Sequence, residues 1–112
     1  MKYILVIDDE RVFPAFEAED TLLAYARTSE EAIARLIRLT PWDEVWFDHD
    51  LGLDDDAMKV VKWMENNRDK WVVERAYVHT MNPVGAVNIR SRVKDLGIPT
   101  YRTGLTEGPA VL

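Results

Sequence analysis

Residues Tyr3-Ile4-Leu5-Val6-Ile7 form an unbroken apolar, β-rich run that stops at the acidic pair Asp8-Asp9. A run without polar alternation is the pattern of a strand buried on both faces, and such a strand needs helices on both sides of its sheet. A parallel α/β sheet meets that requirement. The run is too short for a signal peptide and two aspartates follow it at once, and no segment approaches the ~20 apolar residues of a membrane span. A cytoplasmic protein with no membrane contact is expected.

The same motif of an apolar strand delivering polar residues recurs twice. Glu44-Val45-Trp46-Phe47 leads into Asp48-His49-Asp50, and Arg75-Ala76-Tyr77-Val78 leads into His79-Thr80. Helical patterns separate these strands. Thr28-Ser29-Glu30-Glu31 has the spacing of a capping box, followed by Ile33, Leu36 and Ile37 at helical intervals, with Glu31 and Arg35 four apart; Pro41-Trp42-Asp43 ends that helix. Ala57, Val61 and Met64, with Val60 and Trp63 beside them, give an amphipathic helix to about Asn67. Asn82-Pro83 reads as a cap with proline at the first helical position, and Ala86, Ile89, Val93 and Leu96 trace one face before Gly97.

The remaining segments are weaker. Residues 11 to 22 carry Pro14 amid acidic positions, so a long first helix is not expected there, and Leu22 to Ala26 reads as a short second strand. Ile98 to Arg102 reads as a last strand with Pro99 marking an edge position, and 103–112 as a loosely held tail. Strands alternating with helices, joined by right-handed crossovers, predict a single domain over 1–112: an open, doubly wound parallel sheet of five strands.

Ligands in such sheets bind outside the carboxyl ends of the strands, which is where Asp8-Asp9, Asp48-His49-Asp50 and His79-Thr80 are delivered. A single acid at a strand end is more often a turn former or a cap; three convergent clusters point to a shared site. Composition narrows its ligand. With 14 basic against 20 acidic residues the net charge is -6, which lacks the basic face that an extended nucleic acid needs. A small phosphate anion is still accommodated if local cations or a metal reverse the field. There are no cysteines, so a metal must use oxygen or imidazole donors.

Paired carboxylates favour magnesium or manganese, while His49 or His79 as a ligand would shift the preference toward manganese, iron or zinc. His79, with Thr80 and Asn82 nearby, has the side chain suited to proton transfer near neutrality; His49 is a ligand or a second acid/base. The helix opening at Asn82-Pro83-Val84-Gly85 offers N–H groups to an anion, with Gly85 allowing close approach and Asn88 further along the same face. Arg11 and Arg102 are the candidate phosphate clamps. The Leu53-Asp54-Asp55-Asp56 loop reads chiefly as a cap for the next helix.

These residues resemble the receiver fold of two-component signalling. Asp8-Asp9 match its acidic pair, Asp48 its phosphoacceptor, Thr80 its switch hydroxyl and Arg102 roughly its lysine. The resemblance implies a flavodoxin-like sheet of order 2-1-3-4-5, here with the first helix shortened or missing. His49 after the acceptor position, Gly52 where proline is usual and the absent lysine-proline pair depart from it. Asp8-Asp9-Glu10-Arg11, Asp48-His49-Asp50-Leu51-Gly52 and His79-Thr80-Met81-Asn82-Pro83-Val84-Gly85 with Asn88-Ile89 are more similar to the cyclic-phosphate-processing receiver-like family, whose members occur in bacteria and their phages.

That resemblance implies a metal-assisted phosphoesterase acting on a cyclic phosphate or small, nucleotide-derived phosphodiester. Asp8, Asp9, Asp48 and Asp50 would hold the divalent cation, and His79 and His49 would move protons, with or without the metal. Arg11, Thr80, Asn82, Gly85, Asn88 and Arg102 would meet the substrate. Two other readings use the same residues: a non-catalytic module binding a nucleotide or a host protein through exposed aromatics at Trp42 or Trp71, and a receiver phosphorylated on Asp48.

Overall fold

The computed structural model describes residues 1–11, 20–38 and 41–103. Five parallel strands, β1 (Lys2–Ile7), β2 (Thr21–Ala26), β3 (Trp42–Phe47), β4 (Val73–Val78) and β5 (Thr100–Arg102), form one sheet of order β2-β1-β3-β4-β5. Helices α1 (Ser29–Arg38), α2 (Met58–Asn66) and α3 (Pro83–Asp95) connect them after β2, β3 and β4. The short β5 is the edge expected from Pro99. No described residue between β1 and β2 is helical, and 12–19, where the shortened helix would fall, lies outside the described residues, as does the tail at 104–112. None of the described helices is long and apolar enough to cross a membrane.

The larger core takes Leu5 and Ile7 from β1, Val45 and Phe47 from β3, and Ala76 and Val78 from β4. Against them pack Ala32 and Leu36 of α1, Val60, Val61 and Met64 of α2, and Ala86, Ile89 and Val93 of α3, so the three described helices share one sheet face. The other face carries Ile4, Val6 and Trp46, with Leu23, Tyr25 and Tyr77 packed on them. Period-two alternation divides each strand between the faces. It also decides which residue at each strand end points to which side.

Three local expectations change. The third strand starts at Trp42 rather than Glu44, because the Trp42 indole is fully buried and donates its N–H to the Arg35 carbonyl at 3.2 Å. Trp71 is half-buried and donates to the Met64 carbonyl at 2.8 Å. A large ring gains most from burial when its N–H finds a partner, and both indoles have done so. Neither is the exposed aromatic expected of a docking surface. In α1 the buried residues are Ala32 and Leu36, whereas Ile37 is half exposed, since only a narrow stripe of the helix meets the sheet.

The start of α1 is fixed by two loops. The Thr28 hydroxyl accepts the Glu31 N–H at 3.1 Å, as the capping-box spacing predicts, but the Glu31 carboxylate accepts from Arg27 N–H at 2.8 Å, one residue earlier than in the ideal box. Arg35, expected beside Glu31, donates its Nε–H to the Tyr25 carbonyl instead. The second loop supplies Asp55, whose carboxylate accepts the Ser29 N–H at 2.8 Å and hydroxyl at 2.6 Å. The acidic loop thus holds the start of α1 and leads into α2, where Asp56, one residue before the N-cap Ala57, accepts from Met58 N–H at 2.9 Å.

Burial alone would raise the Asp55 pKa, but the Ser29 hydrogen bonds and the nearby Lys59 hold it below the ordinary 3.8. Replacing Asp55→Ala should lower stability at pH 7 by about 1–2 kcal/mol, read from urea denaturation. A carboxyl depressed in the folded state stabilises above its unfolded pKa. The gap between parent and variant should therefore shrink as the pH falls below 3.8 toward the folded value.

Candidate functional site

Ala26, Ile7, Phe47, Val78 and Arg102 lie in one row across the sheet. The next residues are Arg27, Asp8, Asp48, His79 and Thr103. The ladder runs one step further through them: the N–H groups of Asp8, Asp48, His79 and Thr103 donate to the carbonyls of Ala26, Ile7, Phe47 and Val78 at 2.9–3.0 Å. Alternation turns Asp8, Arg27, Asp48 and His79 to the side of Val6, Trp46 and Tyr77. Residues 71 positions apart meet because each follows a strand of matched register.

Asp8 is buried, and both its oxygens are engaged. One accepts the N–H groups of Glu10 and Arg11 at 3.0 and 2.9 Å; the other accepts from His79 Nε2 at 3.0 Å, with Arg11 Nε 3.8 Å away. Burial pushes this carboxyl upward, but the hydrogen bonds from His79 and the two backbone N–H groups outweigh it and hold the pKa at about 2. Asp8 is thus an anion, and His79 Nε2 must carry the proton it donates. Half-buried Asp48 shifts the other way. Its pKa is raised by burial, against the hydrogen bond from the Thr80 hydroxyl, and the Asp8 charge adds to the rise.

An open cleft of about 340 Å³ lies over this edge, lined by Asp8, Asp9, Glu10, Arg11, Asp48, Asp50, Gly52, Thr80 and Met81. Carboxylate oxygens of Asp8, Asp9 and Asp48 lie within 4.8 Å of one another, close enough to share one cation, and hard oxygen donors of this kind suit magnesium or manganese. Asp50 lines the same cleft, but its Oδ1 is 3.0 Å from His49 Nδ1. Gly52 turns the loop at φ +96°, a conformation that proline cannot adopt.

The structure changes the expected roles of several residues. His79, expected to face a substrate, is fully buried, with its Nε2 on Asp8 and outside the cleft lining. The His49 ring sits on the first turn of α3: a Cβ added at Gly85 would lie 2.4 Å from His49 Cγ. Glycine at 85 is therefore required by the ring rather than by an approaching anion, and its N–H is already donated to Asn82 Oδ1 at 2.8 Å. Asn82 is the cap of α3, its own N–H donating to Thr80 Oγ1 at 3.2 Å. Asn88 is exposed on the outer side of α3, lining a separate depression with Pro83, Val84 and Val87. Arg102 is exposed on β5 and outside the cleft lining, because Thr103 takes its expected place in the row.

Sequence reasoning missed Glu10, Met81 and Arg27. Arg27 had a readable signal, since it follows the last residue of β2 as Asp8 follows that of β1.

Residues 3–95 match the family described as cyclic-phosphate processing receiver domain. None of the curated proteins matches the sequence. Among solved structures, the fold resembles a CheY-like response regulator receiver domain from Methanospirillum hungatei JF-1, with TM-score 0.60 and 16% identity over 97% of this chain and 85% of that one. It also resembles a fusion carrying the trimeric coiled coil of yeast Spc42, with TM-score 0.63 and 16% identity over 96% of this chain and 69% of that one. At such identity these likenesses show the fold alone.

The packing of His49 on Gly85 can be measured. Gly85→Ala should destabilise the protein by about 1–3 kcal/mol, the cost of overpacking. In a double-mutant cycle with His49→Ala, which removes the ring atoms at 2.4 and 2.5 Å, a substantial part of that cost should be recovered. Additive losses would show that the two side chains do not meet.

Proposed function

The chain belongs to the cyclic-phosphate processing receiver domain family, and from that premise we propose that it is a metal-assisted phosphoesterase acting on a cyclic phosphate or small phosphodiester. The observation that carries the reading is the composition of the cleft. Among the described residues five carboxylates and one guanidinium line it, a field that repels a phosphate anion until a cation is bound among Asp8, Asp9 and Asp48. A divalent cation there supplies Lewis acidity and activates water for attack on phosphorus.

The chain's own residues do the rest. Arg11 is the cation among the described residues of the lining and pairs with phosphate oxygens; the Thr80 hydroxyl lies beside Asp48 for a further contact. Water attacks phosphorus, one ring P–O bond breaks, and the proton given up by the water passes, through the carboxylate that took it and solvent, to the departing alkoxide, leaving a monoester. Neither histidine lines the cleft, so proton transfer falls to its carboxylates. Asp50 receives the proton from water, with His49 Nδ1 hydrogen-bonded behind it. His79 acts through Asp8, keeping one carboxylate oxygen turned from solvent and the ionised form ready for the cation.

The test is hydrolysis of nucleoside cyclic phosphates and of simple cyclic diesters by the full chain with manganese, with magnesium and with chelator. Monoester should form only with the metal. Asp9→Asn should lower kcat/KM by about 10²–10³-fold, the equivalent of several kcal/mol of transition-state stabilisation. Turnover that survives chelation removes the cation from the mechanism. Tight nucleotide binding without turnover returns the protein to the class of binding modules.

A further inference from the structure

Four consecutive residues of the cleft, Asp8 to Arg11, form a turn whose inner donors are held by Asp8 itself, through the N–H groups of Glu10 and Arg11. Its two end carbonyls are held by a single group from the residue that follows β2. Arg27 Nη1 donates to the Asp8 carbonyl at 3.0 Å and to the Arg11 carbonyl at 2.6 Å. The arginine is itself fixed: its guanidinium lies over the Tyr25 ring at 4.7 Å, and its backbone N–H is donated to Glu31 at 2.8 Å. We propose that Arg27 is a positioning residue of the cleft, closing the Asp8–Arg11 turn so that Asp8 and Asp9 present their carboxylates to one cation and Arg11 its guanidinium to the phosphate.

This rests on the reading of the cleft as a cation site, and the charge on Arg27 makes the two contributions separable by sign. Removing a positive group beside a cation site, by Coulomb's law alone, tightens cation binding. Opening the turn separates Asp8 from Asp9 and loosens it. A residue that merely stabilises the fold would lower the melting temperature and leave the folded protein's affinity at least as high as before.

The experiment is a manganese titration of the full chain, following free Mn²⁺ by electron paramagnetic resonance below the melting transition. Arg27→Ala should weaken Mn²⁺ binding by about 10–100-fold, the range found when the partners of metal ligands are removed. Arg27→Lys, whose ammonium has three donors for the same two carbonyls, should recover most of the loss. Folded Arg27→Ala that binds Mn²⁺ as tightly as the parent, or more tightly, overturns the proposal and leaves the phosphoesterase reading standing. If Arg27→Ala does not fold, Tyr25→Leu decides: it removes the ring beneath the guanidinium while keeping the charge, so weakened binding supports the role and unchanged binding overturns it. A parent chain that takes up no Mn²⁺ refutes the cation reading and the role of Arg27 together.

Discussion

The buried hydrogen bond between His79 and Asp8 is the interaction on which the edge of the sheet depends. An ionised carboxylate removed from water is costly, and a lone one would take up a proton instead. Here three donors converge on it, so the charge is retained. The consequence reaches beyond the pair. Asp8 in its ionised form raises the proton affinity of Asp48, and both are drawn toward any cation that relieves the repulsion. Breaking the pair by removing the imidazole would leave a buried charge short of a partner, a defect of about 3–5 kcal/mol in comparable cases. The same bond therefore supports the fold and prepares the site.

That bond exists because of register. Ile7, Phe47 and Val78 are level, so the residues after them are neighbours, and all three turn to the face that holds Trp46 and Tyr77. The indole of Trp46 stacks on Tyr77 at 4.4 Å and meets the His79 ring at 5.9 Å, giving the imidazole a packed floor. Parity explains the exclusions equally well. His49, one residue past Asp48, turns to the helical face and meets α3, while Thr103 and not Arg102 continues the row on β5. A one-residue shift in register would exchange these sets.

Much of this was legible from the sequence, and the reason is periodicity. The runs at 3–7, 44–47 and 75–78 announced strands, the polar residues after them announced the site, and Asn82-Pro83 marked the start of α3 where the structure has it. What was not legible depends on tertiary contact. The strand pattern places His79 at the correct edge but cannot say that the ring lies beneath Asp8 with no exposure. Gly85 looked like room for an anion because glycine is silent about which neighbour fills the space, and the neighbour is His49. Trp42 followed a proline and read as a helix stop, yet its ring is core. Asp55 caps a helix 26 residues earlier, a pairing with no local signal.

The two histidines sit differently at this edge. Each is joined to one carboxylate of the cleft, His79 to Asp8 from below and His49 to Asp50 from the side. The first contact is buried and rigid, which suits a group that must hold its geometry and charge. The second involves a largely exposed carboxylate. Asp9, Asp48 and Thr80 line the cleft between these two carboxylates. If the cleft works as proposed, the buried imidazole fixes its cation-binding face and the other backs the carboxylate that takes the proton from water, which fits a reaction whose attack and departure occur on opposite sides of phosphorus.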